Sequence, residues 1–215
     1  MEIRNFRESD RAALERMLRL AFGGSEDWSR RYFDAEKNPR LEPERVFVAS
    51  ENGEVRASTT VLPMEVFVDG TPAPMGGIAA VMTDPAYRRR GYARKLIEES
   101  LREMRGNGMH LSMRDPFSHA FYRASGWETA CDYILYKLSP AKLPASDEQR
   151  RICAFREDYT PALKRIFEEK AARHQMCVRR CEGRWRQMLE ADGDEYARDN
   201  EAVVFEADGA GVEGY

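Results

Sequence analysis

The chain has 215 residues, 42% of them hydrophobic, and 34 Lys+Arg nearly balance 37 Asp+Glu at a formal net charge of −3. This length suits one or two domains and buries a sizeable core without disulfides or a metal staple, and the charge balance argues against a dedicated nucleic-acid binder. No stretch approaches the ~20 apolar residues of a membrane span, and Met1-Glu2-Ile3-Arg4 opens no apolar signal region, so a cytoplasmic protein without membrane partners is expected.

Ser9-Asp10 offers an N-cap, and Ala13, Leu14, Met17, Leu18 and Ala21 recur at helical spacing until Gly23-Gly24 stops them. The charged stretch from Trp28 to Glu44 has no period and reads as irregular. Val46 to Ala49 and Val55 to Leu62 flank Asn52-Gly53, the strongest short hairpin signal. Met64 to Asp69 extends this meander, Pro72 and Pro74 read as a break, and Gly77 to Thr83 is an unbroken run suited to a central strand. Ala93, Leu96, Ile97, Leu101 and Met104 then predict a helix over 92–105, ended by Gly106. Met109 to Met113 reads as a strand, 118–124 as a short helix closed by Gly126, and Asp132 to Leu138 as a last strand. Residues 1–138 thus read as one α+β unit.

Residues 139–150 have linker composition, and the chain beyond them repeats its own beginning. Phe6-Arg7-Glu8 and Ala13-Leu14 reappear in register as Phe155-Arg156-Glu157 and Ala162-Leu163. Val48, Gly53 and Val55 find counterparts around Asp208-Gly209 and Val212, so 151–215 reads as the beginning of a second, truncated copy. Two amphipathic helices resemble each other for generic reasons too, and that explanation stays open. An unfinished hairpin should leave Val203, Val204, Phe205, Val212 and Tyr215 at or near an open sheet edge.

Arg88-Arg89-Arg90-Gly91-Tyr92-Ala93 lies where the central strand hands over to a helix, whose first-turn N–H groups lack intrahelical partners. Small residues at 91 and 93 let backbone approach a diphosphate, and the arginines add forked donors. Neither GxxxxGK[ST] nor GxGxxG occurs, which leaves coenzyme A as the natural anion. Taken alone, the string also suits a solvated charged turn. Asp84 sets a carboxylate close beside it.

With Val81-Met82-Thr83-Asp84-Pro85 before it and Phe121-Tyr122-x-x-x-Gly126-Trp127 after it, this arrangement resembles the GNAT superfamily of acetyl-CoA-dependent N-acetyltransferases. Asp115 to Glu128 and the tandem repeat resemble, more narrowly, the enhanced-intracellular-survival (Eis-like) type, with two GNAT-like domains and a sterol-carrier-protein-like third. The resemblance implies an α+β GNAT fold, a mixed, mostly antiparallel sheet flanked by helices, followed by an incomplete second GNAT-like unit. It implies direct ternary-complex transfer of acetyl from acetyl-CoA to a primary amine of an aminoglycoside, polyamine or lysine, without a metal, in a protein that is a homo-oligomer at full length. On these residues, backbone at Val81, Met82 and Thr83 would align the acetyl and pantetheine portion. Arg88, Arg89, Arg90, Gly91, Tyr92, Ala93 and Arg94 would hold the pyrophosphate, Phe117 and Ser118 would border the thioester, and Tyr122 would be the general acid. The general base of that type is a chain-terminal carboxylate from the third domain, which this sequence does not include, so a catalytically silent acyl-CoA-binding module is the competing expectation. Tyr122 also suits a packing role, with Phe121 and Trp127 close by.

Other constellations are weaker. Cys131, Cys153, Cys177 and Cys181 form no CxxC pair, and reduced thiols are expected. His174-x-x-Cys177-x-x-x-Cys181 offers three metal ligands on an apparently helical segment, but no fourth is evident. His119, one turn before Tyr122, suits either a base facing the cleft or a surface residue, and no Ser-His-Asp arrangement is supported. Residues 186–215 hold nine Asp+Glu against two Lys+Arg, a solvated acidic face.

Overall fold

The structure is a computed structural model describing residues 1–130, 132, 134–142, 147–189, 203–207 and 211–215. The chain opens with β1 (Glu2–Asn5) and a single 3-10 turn at Glu8–Asp10. Asp10 does not cap the helix after it. Its carboxylate instead accepts the Arg7 N–H at 2.8 Å and both terminal guanidinium nitrogens of Arg4 at 2.6 and 2.9 Å. Helix α1 (Arg11–Phe22) buries Leu14, Met17 and Leu18 and ends at Gly23.

The stretch expected to be irregular contains α2 (Glu26–Tyr32), capped by the Ser25 hydroxyl, which accepts the Trp28 N–H at 3.0 Å. Seven residues make only two turns, too few for a 3.6-residue period to stand out among four charged side chains.

β2 (Val46–Glu51) and β3 (Glu54–Val68) pair antiparallel through Asn52 and Gly53, both at positive φ. A second hairpin, at Asp69-Gly70, leads into β4 (Thr71–Thr83). Pro72 and Pro74 do not break this strand. They lie opposite Phe67 and Glu65, at a level where β4 has no neighbour on its other side, so their missing N–H groups cost no sheet hydrogen bond. Helix α3 (Tyr92–Gly106) crosses back over the sheet with Leu96 and Ile97 fully buried. A Cβ at Gly76 would collide with the Met104 sulfur, so glycine there admits the helix close to β4. β5 (Leu111–Met113), shorter than expected, pairs parallel to Met75–Gly77, and α4 (His119–Arg123) follows.

The described residues of the 132–138 stretch form no strand. They belong to no regular element, and Ile134, Leu135, Tyr136 and Leu138 are 70–75% exposed. The apolar content suits a strand, but the adjoining edge, β5, offers only three residues of backbone. Cys131 lies outside the described residues.

Beyond single 3-10 turns at Pro140–Lys142 and Asp147–Arg151 come β6 (Ile152–Ala154), α5 (Thr160–Ala171), β7 (Val178–Arg179), α6 (Glu182–Leu189), β8 (Val203–Ala207) and β9 (Gly211–Gly214). The antiparallel order β6-β8-β9 repeats that of β1-β2-β3, with the tip 208–210 outside the described residues. Tyr159, Leu163, Trp185, Val204 and Val212 form a core of their own. Val204 and Val212, expected near an open edge, are therefore buried, while Val203 and Tyr215 are about half exposed.

His174 to Cys181 is not helical: a turn leads into β7, which joins the far half of β3 and makes the first sheet six-stranded. Among the described residues no group of His, Cys, Asp or Glu is placed to hold a metal ion. None of their helices is long and apolar enough to cross a membrane.

Candidate active site

β4 and β5 part after Gly77 and Met113, and β4 runs on to Thr83 with one edge open. Within that free stretch the pairing slips. Ser58 faces Met82 and Thr60 faces Ala79, so one β3 residue opposes both Ala80 and Val81, a bulge with Ala80 at φ +46°. The Asp84 N–H bonds the Arg56 carbonyl at 2.8 Å, and the alternation of an antiparallel pair then turns the Thr83 and Val81 N–H groups outward into the gap.

A cavity of about 440 Å³ opens at this divergence, walled by Phe22, Trp28 and Tyr32 from the first two helices, Val81 from β4, and Phe117 and Tyr122. A second, of about 830 Å³, shares Ile78, Arg114 and Tyr122 with it and reaches over the sheet to Met64, His119 and Trp127. Tyr122 is 2% exposed, and its hydroxyl has no hydrogen-bond partner among the described residues. Its ring meets Phe117, Phe121 and Trp127 edge-on at 5.4, 4.8 and 6.0 Å, and the Arg114 guanidinium carbon lies 3.4 Å from the ring centre. Burial pulls the Arg114 guanidinium down to about 10, against the opposing influence of Asp115.

Further along β4, Asp84 caps the turn Pro85–Tyr87 through the Ala86 N–H at 3.0 Å and pairs with Arg16 of α1 at 2.8 Å. Arg16, and then the Ala86 N–H, hold the Asp84 carboxyl below its usual range, so the carboxylate beside the loop is already neutralised. Arg89 at φ +61° and Gly91 at φ +83° turn the chain into α3, which starts without a side-chain cap. The N–H groups of Tyr92, Ala93 and Arg94 therefore have no intrahelical acceptor. Arg88 and Arg89 are exposed with no ion pair among the described residues, Arg90 lies over the Tyr87 ring at 4.8 Å, and Arg94 is taken by Glu98 at 3.1 Å. Unpaired guanidinium groups around an uncapped helix start fit a diphosphate.

The expected set is thus brought together in part. Val81, Phe117 and Tyr122 share one cavity, and Thr83 and the arginine loop continue from it along one strand. Met82 and Tyr92 point into the core, so only their backbone can serve; burial, and then Glu51, push the Tyr92 phenol up. Ser118 lines neither cavity, and its hydroxyl caps α4 by accepting the Phe121 N–H at 3.4 Å. Sequence reasoning missed the aromatic wall from α2, and it missed Arg114. The only signal for Arg114 was a cation ending a strand just ahead of Asp115-Pro116.

A bulged, open-edged central strand leading to an uncapped helix start in a mixed sheet is the GNAT fold. Residues 2–130 match the family described as Acetyltransferase (GNAT) domain, and the chain belongs to that family, whose members use acetyl-CoA. Among solved structures it is similar to a GCN5-related N-acetyltransferase from Anabaena variabilis, with 21% identity and a TM-score of 0.68 over 88% of this chain and 47% of that one. A GCN5-related N-acetyltransferase from Kribbella flavida is similar at 20% identity and TM-score 0.71, over 100% and 58% of the two chains. An acetyltransferase from Clostridium acetobutylicum, solved with acetyl-CoA, is similar at 16% and 0.52, over 63% and 95%. The chain spans about half the length of the first two, and at these identities the likeness is one of fold. No curated protein matches it in sequence.

Proposed function

We propose that the chain moves the acetyl group of acetyl-CoA to a primary amine by direct attack within a ternary complex. Bound acetyl-CoA would supply the activated acyl group. The α3 N–H groups with Arg88 and Arg89 hold its diphosphate, and the outward N–H groups of Thr83 and Val81 orient the amide arm and donate to the thioester oxygen as it gains charge. Tyr122 would deliver its phenolic proton to the departing sulfur, and the proton that the amine nitrogen gives up would return to the phenolate left behind. Trp28, Phe22 and Phe117 give the reacting end an apolar lining. The observation that carries this reading is the Tyr122 hydroxyl, buried and without a partner among the described residues, on a cavity bordered by the open edge of β4.

The acceptors to try first are an aminoglycoside, a polyamine and lysine. Coenzyme A release that depends on the amine and falls in Tyr122→Phe supports the assignment. A folded chain that binds acetyl-CoA but releases no coenzyme A with any of the amines would be a silent acyl-CoA-binding module.

We also read residues 151–215 as the beginning of a second GNAT-like unit in an Eis-like tandem. The repeated order β6-β8-β9, and a likeness to longer structures that extends over 88–100% of this chain, support that reading.

A further inference from the structure

Four arginines with little exposed side chain find carboxylates. Arg4, Arg45, Arg56 and Arg151, with side chains 14–19% exposed, each pair with Asp or Glu. Arg114 does not: it makes no ion pair among the described residues, and its Nε, like that of Arg56, is sealed from solvent with no acceptor, while its guanidinium carbon lies over the Tyr122 ring. Two more donors beside it, the Tyr122 hydroxyl and Trp127 Nε1, are equally unpartnered, and all three residues line the larger cavity. Of the carboxylates on that wall, Asp115 and Asp132 are exposed and Glu128 is held by Arg123 at 2.8 Å. Donors without acceptors in a roomy cavity call for an anion.

The cofactor's diphosphate does not provide it. The uncapped start of α3 lies beyond Thr83, whereas Arg114 sits beside Ile78, roughly 15 Å back along the strand.

Resting on the acyl-transfer reading above, we propose that the acceptor is an amine that also carries an anionic group, a carboxylate or a phosphate, docked on Arg114 and Trp127 while the amine reaches the acetyl end past Tyr122. Burial weakens Arg114's hold on its proton, and the opposite charge of such a group would offset that cost.

The test uses matched amines as substrates of the full chain: 4-aminobutyrate against butylamine, and phosphoethanolamine against ethanolamine. The expected result is a kcat/KM on the order of tenfold or more higher for the anionic member of at least one pair, and the pair that responds identifies carboxylate or phosphate. Arg114→Gln should bring the ratio towards one, and Arg114→Lys, which keeps the charge should the glutamine variant misfold, should keep part of it. Equal kcat/KM within both pairs, or a preference that survives Arg114→Gln, overturns the proposal. Calorimetric titration of the same amines separates the two readings. Binding that needs Arg114 without any coenzyme A release sinks the acyl-transfer reading and leaves this site standing, and turnover with no anionic preference does the reverse.

Discussion

Arg16 of α1 and Asp84 at the head of the arginine loop, 68 residues apart in sequence, meet at 2.8 Å. The pair neutralises a carboxylate that would otherwise repel the proposed diphosphate and ties the first helix to the loop. Arg16→Ala should therefore weaken acetyl-CoA binding by about three- to tenfold, the size of one unneutralised charge several ångströms away in a wet site. Adding Asp84→Asn, which keeps an oxygen for the Ala86 N–H, should restore affinity. Calorimetry on the three proteins checks this, and a double variant no better than Arg16→Ala would count against it.

Gly91 separates backbone strain from charge. It sits at φ +83° with open space where a Cβ would go, so a side chain there suffers strain of about 1 kcal/mol but no collision. Acetyl-CoA at 100 times its Kd should stabilise the parent by about 2.7 kcal/mol. Gly91→Ala should keep most of that gain, and Gly91→Glu, a carboxylate at the helix start, should lose it. The readout is Tm with and without acetyl-CoA. An undiminished shift in Gly91→Glu would remove the loop from the site.

Tyr122→Phe is an unusually clean variant because the hydroxyl has no partner among the described residues of the folded chain. Removing an unsatisfied buried donor should leave Tm unchanged or slightly raised. kcat should fall by about 10²- to 10⁴-fold with little change in acetyl-CoA affinity, since the proton is needed only as the thiolate leaves. Turnover at the parent rate would return Tyr122 to a packing role.

How far the sequence alone reaches is visible in these same residues. The Asn52-Gly53 hairpin, helices α1 and α3 and the arginine loop are local signals, carried by turn chemistry and by periods long enough to count. Pro72 and Pro74 misled because proline forbids a sheet hydrogen bond only where a neighbour exists, and the open edge of β4 depends on how short β5 is. The strand expected at Asp132 to Leu138 failed for the same reason: an apolar run needs a partner strand to pair with. The motif drew attention to Tyr122, whereas nothing local drew it to Arg114, whose place over the ring follows from the fold-back between β5 and α4.

Two of the less exposed ion pairs contribute to the acid limit. Burial raises the Asp10 carboxyl, but hydrogen bonds from Arg4 and the Arg7 N–H outweigh it and hold the group below its usual range; Arg16 does the same for Asp84. A carboxyl with a depressed folded pKa contributes stability that is complete above its unfolded pKa, about 3.9, and is lost as pH falls through the folded value. Tm should hold between about pH 7 and 5 and drop below about 4. Asp10→Asn should cost roughly 1–3 kcal/mol at pH 7, a gap that narrows by pH 3. A gap independent of pH would mean that Asp10 acts through packing alone.

The last prediction concerns how the two halves stay together. Lys137 and Lys142 lie in an exposed stretch where trypsin should cut first. Cutting there should not separate the pieces, because β7 from the second half is paired with β3 of the first. Backbone bonds run from the Phe67 N–H to the Cys177 carbonyl at 3.0 Å and from the Met176 N–H to the Phe67 carbonyl at 2.8 Å. Gln175 bonds Asp69 at 2.7 Å, and Arg179 bridges Glu65 at 3.0 Å and Glu168 at 2.6 Å. These side chains are exposed, so the ion pairs add at most about 1 kcal/mol and the backbone pairing carries the junction. The nicked protein should elute from gel filtration as one species and come apart only in denaturant. Arg179→Glu, which sets three carboxylates against one another, should lower the urea concentration at which it does so. A C-terminal piece that elutes by itself without denaturant would show that the β3–β7 pairing does not hold the halves in solution.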